Sequence, residues 1–233
     1  RQALVQVSQM HEISKHIRDP EAASVRLGIF PTLAPYLLPH VVPKLRKRFP
    51  HLELLLIEEK TETLIVQLRN GLIDAAILAE PVNDEHFDAM HLFTEPFVLA
   101  LPEKHPLTRQ RTLGMGELEQ QHLLLLEDGH CLRDHALAAC NRAELRASAA
   151  MIGTSLHTLV QMVDNGLGLT ILPQMAIDAG ILNGTDVVAR PLEAAHPTRT
   201  IALVWRKASP RGKEFQMLAN VLRTANERAN APV

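Results

Sequence analysis

Residues 24–79 read SVRLGIFPTLAPYLLPHVVPKLRKRFPHLELLLIEEKTETLIVQLRNGLIDAAILA. Three apolar runs in this stretch, Ser24–Phe30, Leu52–Glu58 and Asp74–Ala79, are short enough for strands. Between them, Leu33–Phe49 is entered through Pro31-Thr32, and Thr61–Asn70 is ended by Gly71; both carry helical spacing. Strands alternating with helices of ten or more residues predict a parallel α/β sheet. Further along, the spacing predicts strands at His91–Thr94, Phe97–Leu101, Leu123–Leu126, Ala149–Ile152, Leu167–Leu172 and Thr200–Trp205. It predicts helices at about His130–Asn141, Ser155–Asn165 and Arg211–Ala229. A strand–turn–helix signature occurs twice, as Ile29-Phe30-Pro31-Thr32 and as Ile152-Gly153-Thr154-Ser155. Two similar halves predict two α/β subdomains with a cleft between them.

Upstream of this stretch, Leu4, Val7, Met10, Ile13 and Ile17 recur as on one helical face, up to a stop at Asp19-Pro20. A chain that opens inside a helix, with no initiating Met and no signal-peptide pattern, is expected to be part of a longer protein. The longest charge-free runs, Leu27–Pro43 and Ala147–Val163, carry four prolines or several hydroxyl residues, so no membrane span is expected. The chain has 233 residues, 46% of them apolar, and only one Trp, one Tyr and six Phe, so its core is aliphatic. With 24 Lys and Arg against 26 Asp and Glu, the net charge is −2. That balance argues against this chain holding nucleic acid by phosphate neutralisation. Two cysteines in such a length do not make a secreted disulfide scaffold.

Their placement is informative. In Glu127-Asp128-Gly129-His130-Cys131-Leu132-Arg133-Asp134, the Asp128-Gly129 turn signal puts Cys131 in the first turn of the following helix. There the helix dipole, His130 and Arg133 all favour a thiolate, the form that attacks peroxides or binds metals. Cys140 lies nine residues on, about 13.5 Å along a helix and on its opposite side. A bond between the two would need that helix to unwind, because a disulfide holds Cα atoms within about 7 Å. Three readings stay open on these residues. Both are small core residues, or they form a redox pair, or Cys131 belongs to a metal site with His135 on the same helical face and His130 adjacent. Thr32, and Thr154 or Ser155, stand where helices begin, and serve either as caps or as contacts for a polar ligand.

The segment from Glu127 to Asp134, with Cys140, resembles the peroxide-sensing group of LysR-type transcriptional regulators. So do Pro31-Thr32, Pro35-Tyr36-Leu37-Leu38-Pro39-His40, Thr61, Thr154-Ser155-Leu156, Leu172-Pro173 and Arg199-Thr200-Ile201. The resemblance runs from about residue 20 to 230. It implies a regulatory region of two periplasmic-binding-protein-like (type 2) α/β subdomains joined by two crossover segments. Residues 1–18 would end a linker helix, 19–93 with 199–233 would form subdomain I, and 94–198 subdomain II. It further implies that Cys131 is the peroxidatic cysteine and Cys140 the resolving one, in a reversible disulfide. Thr32, Thr61, His130 and the Gly129 backbone correspond to a peroxide pocket, with Arg133, Thr154 and Arg199 as further polar contacts.

The implied partners are hydrogen peroxide, a second copy in dimers or tetramers, and DNA through a winged helix-turn-helix that this chain lacks. RNA polymerase and a thiol reductant such as glutaredoxin complete them. No cofactor, metal or membrane is implied, and the place is the bacterial cytoplasm. The thiol chemistry would be stoichiometric, not enzymatic. The alternatives are a LysR-type domain binding a small organic effector in the cleft, and a peroxiredoxin-like peroxidase.

Overall fold

A computed structural model describes residues 24–114, 118, 121–130, 132–133, 152–192 and 198–227. The amino-terminal helix, the helix over His130–Asn141 beyond residue 133, and both cysteines lie outside the described residues. The chain divides into two compact units, one ending at Phe93 and resuming at Thr200, the other spanning Thr94–Arg199.

Unit 1 begins with strand β1 (Ser24–Ile29), helix α1 (Ala34–Arg48), strand β2 (Glu53–Glu58), helix α2 (Thr61–Arg69) and strand β3 (Ala75–Ala79). All residues of β3 are buried, as a central strand covered on both faces requires. β1 pairs in parallel with β2 along its whole length and with β3 through Leu27–Ile29. In α1, Tyr36, Leu37, Val41 and Leu45 form the buried stripe. Pro35, Pro39 and Pro43 recur every four residues on the exposed side. Arg46, Lys47 and Arg48 close the helix where its dipole favours cations. Gly28 allows α2 to sit tightly on β1, since a Cβ there would meet Leu64 at 2.6 Å. The closing helix α5 (Gly212–Glu227) packs against α1.

Two long strands pass from one unit into the other: β4 (Phe87–Pro102) and β9 (Thr198–Arg206). In unit 1, β9 runs antiparallel to β3, with Ala75 opposite Trp205. In unit 2, β4 pairs antiparallel with β7 (Thr170–Pro173) and β8 (Val187–Pro191). A small parallel pair, β5 (Leu125–Leu126) and β6 (Ile152–Gly153), precedes helix α3 (Leu156–Asp164), and helix α4 (Gln174–Asp178) follows β7.

Where the alternation predicts parallel sheets, unit 1 is mixed, because β9 enters antiparallel to β3, and in unit 2 β4 runs antiparallel to β7 and β8, leaving β5–β6 as a parallel pair. The strands expected at His91–Thr94 and Phe97–Leu101 are one continuous strand. Pro96 is accommodated within it at an exposed position. The strand expected at Leu123–Leu126 is regular only at its last two residues, and β8 and α4 had no clear periodic signal. Among the described residues, no helix is long and apolar enough to cross a membrane.

Candidate functional site

In open α/β sheets, ligands gather beyond the carboxyl ends of parallel strands. Each unit presents one such edge. In unit 1, β1 and β2 end side by side, with Ile29 opposite Glu58. The turns that follow carry Thr32 and Thr61. Thr32 is 2% exposed, inside a tight turn in which the Leu33 and Ala34 amides both donate to the Phe30 carbonyl at 3.1 Å. It does not cap α1: the cap position is Leu33, whose side chain offers no acceptor. Thr61 opens α2. Its Oγ1 is buried and, among the described residues, has no hydrogen-bond partner. A hydroxyl withdrawn from water and left unpaired costs about 1–3 kcal/mol.

In unit 2, β5 and β6 end together, and the Glu127 amide donates to the Gly153 carbonyl at 3.1 Å. The chain then turns through Gly129, whose φ of 89° lies in the left-handed region that favours glycine. His130 follows at 5% exposure, its Nε2 3.7 Å from Glu127 Oε1. Its carbonyl accepts the Arg133 amide at 3.0 Å, closing the first turn of a helix. Arg133 is also 5% exposed. Its guanidinium donates to the Leu126 carbonyl at 2.9 Å and pairs with Asp128 Oδ1 at 2.9 Å. Arg133 is thus spent on holding the turn. On the neighbouring turn, Ser155 is the cap of α3, accepting the Thr158 amide at 3.2 Å. Thr154 stands exposed before it.

Arg199 is buried on β9, and both its Nε and an Nη reach Glu95 Oε1 at 2.6 Å. Its guanidinium lies 5.7 Å from the centre of the Phe97 ring. The second oxygen of Glu95 accepts the Met175 amide at 3.3 Å. Glu95 was missed in the sequence. Its signal was a lone carboxylate within the apolar run around Phe93 and Phe97, which needs a cation once buried. Thr32 and Thr61 belong to unit 1; Gly129, His130, Arg133, Thr154 and Arg199 belong to unit 2. No cluster of three or more metal-binding side chains occurs among the described residues. Cys131 and His135 of the metal reading lie outside them.

The chain belongs to the LysR substrate-binding domain family, whose model matches residues 18–227. This is the periplasmic-binding-protein-like α/β class. Within it, the chain is similar to the DNA-binding transcriptional dual regulator OxyR of Escherichia coli, 38% identical over 223 residues. That match covers 96% of this chain and 73% of the relative. The reduced regulatory domain of OxyR2 from Vibrio vulnificus superposes with a TM-score of 0.80 at 38% identity, covering 88% of this chain and 96% of that one. A cysteine-to-serine variant of Corynebacterium glutamicum OxyR, solved with hydrogen peroxide bound, gives a TM-score of 0.86 at 30% identity. It covers 97% of this chain and 72% of that one.

Proposed function

We propose that this chain is the regulatory region of a LysR-type transcriptional regulator that senses hydrogen peroxide through a reversible Cys131–Cys140 disulfide. The observation that carries the reading is the Gly129–Arg133 turn. It buries a histidine immediately ahead of Cys131, at the start of a helix and at the carboxyl edge of a parallel strand pair. Similarity to OxyR proteins, one of them solved with peroxide bound, supports it.

The chemistry balances as two steps. The Cys131 thiolate attacks one peroxide oxygen, the S–O bond forms, the O–O bond breaks, and the departing hydroxide takes a proton to become water. Cys131 is left as a sulfenic acid. The Cys140 thiolate then attacks that sulfur, the S–S bond forms, and a second hydroxide leaves as water. Thr32, Thr61, Thr154, His130 and the Gly129 amide are the proposed polar contacts to the peroxide, whereas Arg133 and Arg199 are paired with Asp128 and Glu95 and hold the turn and strand that carry them. A helix first turn favours the attacking thiolate by its dipole.

In this reading, the two units are regulatory subdomains I and II. The oxidised form changes how copies pack in a dimer or tetramer, and DNA-binding domains pass the signal to RNA polymerase. A thiol reductant of the glutaredoxin type restores the dithiol in the cytoplasm. The thiol reaction is stoichiometric.

Intact mass before and after one equivalent of peroxide tests the reading. The wild-type chain should lose two hydrogens together, and Cys131→Ser should not. An equal disulfide yield in Cys131→Ser, or no change in wild type, overturns it.

A further inference from the structure

The turn ahead of Cys131 is fastened by one side chain more than by a strand ladder. β5 and β6 pair through only Leu125–Ile152 and Leu126–Gly153. Beyond them, Arg133 folds back over the turn, with one guanidinium nitrogen on the Leu126 carbonyl and another on the Asp128 carboxylate. Leu132 beside it is 2% exposed, and lines a small cavity with Leu124, Leu126, Leu159 and Ile171.

We propose that Arg133, by clasping the Leu126 carbonyl and Asp128, is a positioning residue that holds this segment in its dithiol form and sets the midpoint potential of the Cys131–Cys140 couple. The proposal rests on the reading of that pair as the switch. The helix expected from the sequence over this span would put nine residues, about 13.5 Å of rise, between the two cysteines, while a disulfide requires Cα atoms within about 7 Å. Leu132 and Arg133 are the first two residues of the span that must rearrange. Oxidation therefore withdraws a buried leucine and a buried cation from their sites, and the cation loses a main-chain acceptor in a dry setting. Contacts made only by the dithiol form bias the equilibrium toward it. A stabilised reduced form makes the couple more oxidising.

A glutathione titration measures this directly. Two glutathiones reduce the protein disulfide to the dithiol and leave as glutathione disulfide, and alkylation followed by mass measurement reads the fraction oxidised. Arg133→Met and Arg133→Lys should each favour the disulfide by about tenfold, a midpoint about 30 mV more negative. Asp128 is 91% exposed at its side chain, so Asp128→Asn tests the clasp without threatening the fold. It should move the midpoint the same way by about two- to threefold, as expected of an exposed pair. Thermal melts in a Cys131→Ser background identify any variant that fails to fold. An unmoved midpoint in folded Arg133→Lys and Asp128→Asn, or a shift to less negative values, overturns the clasp while leaving the switch intact. A wild-type chain that never forms the disulfide overturns both.

Discussion

The two candidate edges are built on the same plan with different fastenings. In unit 1, the strands that end at Thr32 and Thr61 are locked by six consecutive register pairs from Ser24–Glu53 to Ile29–Glu58. In unit 2, the strands that end at Gly129 and Thr154 share two pairs, and the turn between β5 and the cysteine depends on Arg133 and a glycine at positive φ. A backbone ladder is insensitive to side-chain chemistry and resists rearrangement. A turn held by one guanidinium can let go as a unit. The contrast gives unit 1 a ladder-held edge and unit 2 an edge that rests on side-chain contacts.

The largest effect that bears on this contrast is at Arg199. Arg199→Met leaves Glu95 buried and unpaired and should destabilise the chain by about 3–5 kcal/mol in urea unfolding. The Glu95→Gln, Arg199→Met double variant should recover much of that loss. Equal losses in single and double variants would mean that the pair does not act together. Next, Gly129→Ala should cost about 1–2 kcal/mol, because a Cβ at a φ of 89° crowds the following carbonyl. A neutral result in the same assay would show that the turn relaxes freely, and would weaken the picture of a tightly set cysteine.

The opposite outcome is expected on the unit 1 edge. Thr61→Val removes an unpaired hydroxyl from a ladder-held turn, so stability should stay level or rise by up to about 1 kcal/mol. The second-order rate of peroxide-driven disulfide formation should nevertheless fall. A marked destabilisation would break the comparison, since it would make Thr61 structural.

The smallest effect is the pH response of Asp84. The Arg69 side chain and then the His86 amide hold its carboxyl well below the usual carboxylate range. For a carboxylate with a lowered folded pKa, the stabilising contribution is complete above the unfolded value of about 3.9 and is lost as pH falls through the lower folded value. Its carbon-13 carboxyl shift should therefore stay flat between about pH 5 and pH 3. A midpoint near 4 would show that this surface pair contributes nothing.

Much of unit 1 was legible before folding was considered. The runs Ser24–Phe30, Leu52–Glu58 and Asp74–Ala79, and the helices between them, sit within a residue or two of the observed β1, β2, β3, α1 and α2. Each is a local pattern whose period and flanking turn residues agree. Reading failed where local cues were thin or misleading. Glu95-Pro96 reads as a break between strands, yet the strand runs through it because Glu95 finds Arg199 and Pro96 faces outward. Thr32 reads as a cap, but the helix begins one residue later and leaves its side chain buried in the turn. Of the two hydroxyls at 154 and 155, it is Ser155 that takes the cap position, with an extended backbone and its oxygen accepting the Thr158 amide.

By itself the sequence determined the alternation of elements, the two strand–turn–helix edges, and the placement of Cys131 after a glycine turn beside His130 and Arg133. These follow from periodicity, turn chemistry and nearest neighbours along the chain. Only the tertiary structure decided the partners. Arg199 meets Glu95 across 104 residues, Arg133 turns back to the Leu126 carbonyl instead of standing as a free cation, and the hydroxyl oxygen of the half-buried Thr61 is withdrawn from water and unpaired among the described residues. The reason is physical: a charge or hydroxyl removed from water must find its complement in space, and which group that is depends on strand order and register.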